Sequence, residues 1–224
     1  MMLQRFARGG LIAAVVFLAH ACATGADDGR DGFEPLGDGG TESSPPARDA
    51  AVLPPRDASK PSGDCDGKVV INELMTAGTK ADDEFVELYN PGGCAVDLGG
   101  WTLGYRPSSG SAGPPIHTFA TGAEIPAKSF LVLGRADFKG KKAVTVTGGS
   151  MAGDDGQIGL EDDKGTVVDS VGYGAASGVY VETASADSPA AGGSISRRSD
   201  GADSDNNAAD FEKTTPHSAG APNP

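Results

Sequence analysis

The sequence has few of the side chains that enzymes and ligand clefts use most. Its 224 residues include one tryptophan and three histidines, and aromatic residues make up 6%. No GxSxG, HExxH or Walker-type phosphate loop occurs. His117 and His217 have no nucleophile motif around them and are predicted to be surface or turn histidines. We therefore expect a protein that is not an enzyme. Paired carboxylates of the glycosidase type remain open on composition alone, but the few aromatic residues offer no obvious sugar-stacking cleft.

Helical periodicity is missing as well, because no window longer than one turn carries an apolar stripe. The chain has 34 glycines and a succession of short apolar runs separated by turn residues. This pattern predicts an all-β sandwich of seven to nine short strands. The predicted strands are 69–74, 84–89, 98–103, 116–119, 130–133, 144–147, 157–160, 166–171 and 195–197, with a hairpin turn at 162–165. The predicted core residues are Phe85, Leu88, Trp101, Leu131 and Leu133.

The chain also lacks positive charge, with a formal net charge of −13. Removing residues 1–21, which contain Arg5 and Arg8 but no acid, changes this value to −15. Such a charge repels nucleic acid and anionic membrane surfaces. It leaves divalent cations and basic surfaces as electrostatically suitable partners.

Residues 1–21 have the three parts of an export signal. Arg5 and Arg8 precede an apolar stretch at 11–19, and Ala21 is a small residue before Cys22. The sequence 19–22 resembles a bacterial lipobox, which implies a lipid anchor on Cys22 and a mature protein held at a membrane. With Ala23 after the cysteine, the resemblance implies the outer membrane or cell surface. Ordinary signal cleavage nearby, which would give a secreted protein, is the alternative.

Residues 22–64 are rich in proline, glycine and acidic residues and are predicted to be a disordered tether. A flexible chain of this length has an r.m.s. reach of roughly 35–40 Å. The predicted β-sandwich spans residues 65–215, and residues 216–224 are predicted to be a flexible tail. We expect a monomer.

Cys65 and Cys94 are the two cysteines of the predicted domain. Export to an oxidising compartment favours a disulfide between them. Metal ligation and a reactive thiol are weaker alternatives, because no CxxC motif or nearby histidine supports them.

Three sequence segments resemble the lamin-tail domain family. They are the first predicted strand with Glu73, the EFVELYN segment and the DLGGWTL segment; later segments up to about residue 215 also fit. The resemblance implies an immunoglobulin-like β-sandwich with a tethering or binding role. The motif residues are Glu73, Glu84, Phe85, Glu87, Asn90, Asp97, Leu98 and Trp101.

The carboxylates of the motif are predicted to have structural roles. Glu84 and Glu87 are three positions apart and should face opposite sides of one strand, so they cannot serve one site together. We expect Glu73, Glu84 and Glu87 each to pair with a backbone amide or with a basic group such as Arg197.

An acidic segment near the end of the chain is the strongest candidate for a metal site. Oxygen ligands of this kind are those that Ca²⁺ prefers. The EF-hand pattern fails after its first three positions, however, since alanine and threonine stand where glycine and glutamate are needed. Hydrogen bonding of these side chains to their own loop is the alternative. The candidate ligands are Asp200, Asp203, Asp205, Asn207 and Asp210.

Two functional hypotheses follow from these features. The first is a non-catalytic binding module that meets an envelope protein or glycan while a lipid at Cys22 holds it to the membrane. It needs no cofactor. The second is a structural or adhesion spacer stabilised by calcium.

Overall fold

The computed structural model describes residues 67–111 and 113–224. The predicted signal peptide, lipid-anchor residue Cys22, tether and Cys65 lie outside these residues. In chain order the elements are β1 (Val70–Met75), β2 (Phe85–Asn90), β3 (Val96–Asp97), β4 (Thr102–Arg106), β5 (His117–Thr118), β6 (Glu124–Ile125), β7 (Ser129–Gly134), β8 (Val144–Thr145), β9 (Gly156–Glu161), β10 (Val167–Tyr173), β11 (Ser194–Arg197), α1 (Asn207–Asp210) and β12 (Phe211–Thr214).

The strands form two main sheets and a small third one. The six-stranded sheet has the order β12-β11-β1-β2-β7-β8, and the four-stranded sheet has the order β10-β9-β4-β5. Strands β3 and β6 pair separately. All of the pairings are antiparallel except that of β7 with β8. The predicted all-β sandwich is therefore confirmed.

Alternation along the strands builds the main core between the sheets. On β2, Val86 and Leu88 point into this core, and Leu133 joins them from β7. The four-stranded sheet contributes Leu103 and Ile158 from its inner face. Burial of this apolar surface against the facing sheet is the main stabilising contribution to a sandwich of this kind.

One predicted core residue lies elsewhere, and two others are only partly buried. Phe85 is buried, but it belongs to a second cluster on the outer face of the six-stranded sheet, with Met75, Val132 and Phe138. It precedes Val86 by one residue, so its side chain points to the opposite side of β2. Trp101 and Leu131 are partly buried and pack against the main core.

The predicted strands are confirmed apart from one displaced segment and three missed strands. The segment predicted at 98–103 is a turn followed by β4, since the Trp101 amide donates to the Leu98 carbonyl and closes the turn. Strands β3 and β6 were missed because two-residue strands have no alternating pattern to detect. Strand β12 was missed because FEKT carries two adjacent charged residues. The predicted turn at 162–165 does connect β9 and β10, with Gly165 at a φ of 78°.

An irregular segment covers the outer face of the four-stranded sheet. The Tyr180 ring lies over Gly159, where an added Cβ would come within 2.5 Å of ring atoms. The Tyr180 hydroxyl donates to Glu161 at 2.5 Å, and the Arg106 guanidinium stacks on the ring at 4.6 Å. Glycine in β9 therefore makes room for an aromatic side chain of the same chain.

The C-terminal segment covers part of the outer face of the six-stranded sheet. The prediction of a flexible tail at 216–224, with the domain ending at 215, is wrong in this respect. Backbone amides of Ser218 and Gly220 donate to buried carboxylates of the sheet. The His217 ring lies 5.2 Å from that of Phe85, and this histidine is half-buried rather than fully exposed. With the main core on one face and this segment on part of the other, all six residues of β1 are buried.

Helix is limited to the four residues of α1 in the described part of the chain. Within residues 67–111 and 113–224, no helix has the length and apolar character needed to cross a membrane.

Candidate functional site

Arg197, at the end of β11, is the centre of a buried polar cluster. Its side chain is fully buried, with 0% exposure. Its Nε donates to the Ile71 carbonyl at 2.8 Å, and its Nη1 donates to the Ala202 carbonyl at 2.7 Å. The guanidinium also lies over the Phe211 ring, 4.8 Å from its centroid. A buried guanidinium needs partners for most of its donors, and these contacts supply them.

Asp169 of β10 provides the counter-charge. Arg197 Nη2 donates to both of its carboxylate oxygens at 3.0 Å. The Ile71 amide of β1 donates to the same carboxylate at 2.5 Å. Burial raises the pKa of Asp169, and the Arg197 guanidinium opposes that effect. The ion pair thus joins the edge of the four-stranded sheet to the six-stranded sheet.

Glu182 and Asp203 complete an acidic group around this pair. One oxygen from each of Asp169, Glu182 and Asp203 lies within 4.8 Å of the others. Burial raises the pKa of Glu182 to about 7, and the nearby charges of Asp169 and Asp203 add to this rise. Burial acts in the same direction on Asp203, but Lys68 and Arg197 hold its pKa below the usual value. The negative charge of the three carboxylates is therefore reduced by the nearby Arg197 and Lys68 and by protonation of Glu182.

The predicted calcium ligands do not converge on one point in the described structure. Of the five, Asp203 alone belongs to the acidic group. Asp200 accepts from Asn72 Nδ2 at 2.9 Å on the outer side of the six-stranded sheet. Asp210 accepts from the Ser204 amide at 2.9 Å, and the Asp205 amide donates to Asp203 Oδ1 at 3.2 Å.

Asn207 is committed to backbone and side-chain partners. Its Oδ1 accepts from the Gly172 and Glu182 amides at 2.9 and 3.0 Å. Its Nδ2 donates to the Ser170 carbonyl at 2.9 Å and to Glu182 Oε2 at 2.8 Å. This buried amide joins three segments of the chain, and its oxygen accepts two hydrogen bonds already. A role for calcium in the acidic segment stays a proposal.

The other motif residues build turns and core. Asn90 Nδ2 donates to the carbonyls of Cys94, Ile125 and Pro126 at 2.8, 3.0 and 3.1 Å. Asp97 accepts from the Gly99 amide at 2.8 Å and so holds the turn after β3. Leu98 is fully buried in the main core. Asn90, Asp97 and Leu98 of the motif therefore have structural roles in turns and in the core.

The three motif glutamates lie on two faces of the six-stranded sheet. Glu84 accepts from the Met151 amide at 3.1 Å on the core side, where burial raises its pKa to about 7. Glu73 accepts from Ser194 Oγ at 2.5 Å on the outer side. Glu87 accepts on the same side from Asn72 Nδ2 at 3.1 Å. Glu84 and Glu87 are separated as predicted, and Arg197 pairs with Asp169 rather than with any of the three.

Asp169 and Glu182 were not among the candidate residues from the sequence. The available signal was a single carboxylate inside β10, VVDSVGY, where Asp169 is followed by four buried positions. Arg197 gives the same signal at the end of SISR, which is buried throughout. A charged residue at a buried strand position indicates a partner charge across the fold. The sequence does not say which acid that partner is.

A comparison with curated proteins found no match to this chain. Residues 65–175 match the family model described as Lamin Tail Domain. The match ends before β11, so Arg197, α1, β12 and the C-terminal segment lie beyond it. Together with the confirmed sandwich, this match supports assignment of the domain to the lamin-tail domain family.

Proposed function

We propose that this chain is an exported, non-catalytic binding module of the bacterial cell envelope. A lipid on Cys22 anchors it, and residues 22–64 hold the β-sandwich away from the membrane surface. Its partner is an envelope protein or glycan that meets the loops of the sandwich. Loops on a rigid scaffold are where binding residues concentrate in folds of this type.

The Lamin Tail Domain match carries this proposal. The family is an immunoglobulin-like family of non-enzymatic domains, consistent with a binding or structural role. The buried charged residues of this member are bound to one another and to the backbone, as the Arg197–Asp169 pair illustrates. Groups engaged in this way have structural partners, which supports a non-catalytic role.

The first experiment separates anchoring from binding. The full chain and its Cys22→Ser variant are expressed in a bacterium with two membranes, and the cell envelopes are fractionated. We expect the parent protein in the outer-membrane fraction with the added mass of a lipid. The Cys22→Ser variant should lack that mass. A parent protein without the added mass would overturn the anchor.

The Cys22→Ser protein then tests binding without a lipid. Purified protein is mixed with outer-membrane vesicles, with protease-treated vesicles, and with liposomes made from the extracted lipids. We expect it to sediment with untreated vesicles and not with liposomes, since its negative charge disfavours lipid surfaces. Loss of binding after protease treatment indicates a protein partner, and retention indicates a glycan. Failure to sediment with untreated vesicles would overturn the binding module.

A calcium-stabilised spacer is the second candidate, and the proximity of Asp169, Glu182 and Asp203 is the observation that favours it. We expect the thermal unfolding curves of the full chain in calcium and in chelator to coincide, because Arg197 and Lys68 already compensate most of the negative charge of this group. Saturating calcium at about 100 times its dissociation constant would otherwise add roughly 2.7 kcal/mol.

Stabilisation by calcium at the acidic group would give a different result. A rise in melting temperature with calcium, lost in Glu182→Gln and kept in Glu124→Gln, would place the cation at the acidic group. Glu124 is a suitable control because it is exposed on β6. That result would make the spacer the better description.

A further inference from the structure

The C-terminal strap, defined here as residues 217–223, lies on the outer face of the six-stranded sheet. At its first residue, the His217 ring packs 5.2 Å from Phe85 and 5.3 Å from Phe138. Ala219 packs against the same outer cluster. At its other end, the Asn223 amide donates to Asp200 at 3.1 Å, and Asn223 Nδ2 donates to the Arg197 carbonyl at 2.9 Å.

The middle of the strap is bound by two carboxylates of the sheet. The Ser218 amide and hydroxyl donate to Glu73 Oε1 and Oε2, each at 2.9 Å. The Gly220 amide donates to Glu87 Oε2 at 2.6 Å. The strap thus supplies N–H and O–H donors rather than a counter-charge, and it covers the carboxylates that hold it.

Glu73 and Glu87 face each other directly across β1 and β2. Both are fully buried, and neither forms an ion pair with a described residue. Two like charges opposite each other in a sheet repel, and burial away from water increases that cost. Opening the strap would return both carboxylates to water.

We propose that the C-terminal strap opens and closes over the six-stranded sheet, and that closing is coupled to uptake of a proton by the carboxylate pair beneath it. This inference is independent of the proposed binding function. Opening uncovers the apolar cluster of Met75, Phe85, Val132 and Phe138.

Other charged groups near Glu87 do not supply a compensating positive charge. Asp200 lies beyond the Asn72 amide, which bridges the two carboxylates. The Arg197 side chain is engaged with Asp169, and only the Arg197 carbonyl contacts the strap. Val132 is the neighbour of Glu87 on β7. Within residues 217–223, the remaining titratable group is the His217 ring.

Burial raises the pKa of Glu87 from 4.5 to about 7, and Glu73 and Asp200 contribute to the rise. The closed state therefore binds a proton more tightly than an open state with a solvated Glu87. By linkage, closing is favoured as pH falls through 7 toward 4.5, and opening is favoured as pH rises through the same window. With these two values, the opening equilibrium should increase about 70-fold between pH 5 and pH 8.

Hydrogen exchange of the full chain tests the coupling. The protection factor of the Gly220 amide, after correction for the intrinsic exchange rate, should fall about 70-fold from pH 5 to pH 8. The Leu88 amide of β2 reports global opening and should remain more protected across this range. A Gly220 protection factor that does not change with pH, or that changes together with that of Leu88, would overturn the proposed pH-dependent opening of the strap.

Three variants identify the responsible group. Glu87→Gln keeps an oxygen acceptor for Gly220 but removes the titration, so its protection factor should be nearly independent of pH. Glu84→Gln removes a carboxylate of similar pKa on the core side of the sheet and should leave the pH dependence intact. His217→Phe keeps the aromatic packing and should leave it intact as well. A loss of pH dependence in His217→Phe would assign the effect to the histidine instead.

A second measurement does not depend on any variant folding. Carbon NMR of the parent protein follows the Glu87 carboxyl while amide shifts of Ser218 and Gly220 are recorded. All three should titrate together with a midpoint of about 7. A Glu87 midpoint near 4.5, or strap amides that do not follow it, would overturn the proposal.

Discussion

Replacing Arg197 by alanine is expected to lower the free energy of unfolding by about 3–5 kcal/mol at neutral pH. The side chain is fully buried and holds Asp169, the Ile71 carbonyl and the Ala202 carbonyl. Its loss leaves the Asp169 charge without its partner and two carbonyls without a donor. Urea unfolding of the full chain, followed by circular dichroism, measures the change.

Arg198 provides a matched control on the next residue. Its side chain is 54% exposed and pairs with Glu212 on the surface. Exposed ion pairs of this kind contribute about 0–1 kcal/mol. We therefore expect Arg198→Ala to change stability much less than Arg197→Ala. Equal losses for the two variants would show that the buried pair contributes no more to stability than the exposed pair does.

A double variant decides whether the loss comes from the uncompensated charge. Arg197→Met with Asp169→Leu removes both charges and restores apolar volume. Replacement of a whole buried ion pair by apolar residues is often neutral or stabilising, so the double variant should be more stable than Arg197→Ala. If it is as unstable as the single variant, the hydrogen bonds to Ile71 and Ala202 account for most of the effect.

Replacing Cys94 by serine is expected to cost about 3–4 kcal/mol in the chain-entropy model of disulfides. Cys65 lies outside the described residues, so its pairing with Cys94 stays a prediction. Strand register supports it: Val70, five residues after Cys65, is paired with Tyr89, five residues before Cys94. Asn90 fixes the turn by donating to the Cys94 carbonyl at 2.8 Å. Each cysteine is therefore five residues along the chain from one member of the same cross-strand pair.

Peptide mapping by mass spectrometry, without reduction, measures the bond directly. A peptide linking Cys65 and Cys94 is the expected product, and it should disappear in Cys94→Ser. Unfolding of oxidised and reduced protein gives the energy. Cys22→Ser is the control, since it leaves the domain cysteines intact and should not alter domain stability. Free thiols at both Cys65 and Cys94 in the exported protein would contradict the prediction.

The strands could be predicted because most of them are short apolar runs that end at turn residues. β7 and β9 have enough apolar positions to identify from the sequence, and Asp162–Gly165 has the residues of a hairpin turn. Alternation also separated Glu84 from Glu87. Two-residue strands such as β3 escaped detection because their pairing depends on distant backbone atoms and not on a local pattern.

The candidate site was predicted less well because its residues come from distant parts of the chain. Asp203 and Asn207 are close in sequence and have the side chains that calcium prefers. In the structure, however, Asp203 faces Arg197 and Lys68, and Asn207 is bound to Gly172 and Glu182. Sequence spacing cannot show which group will bind a side-chain oxygen when that group lies many residues away in the chain.

By itself, the sequence determined the all-β class, most of the strands and the resemblance to the lamin-tail family, because these depend on short apolar runs, turn residues and local motifs. Only the tertiary structure decided that Arg197 pairs with Asp169, that Phe85 faces outward, and that the C-terminal segment covers Glu73 and Glu87. Those outcomes depend on which distant segments can satisfy a buried charge or cover an apolar surface. That competition is settled only when all the strands are in place.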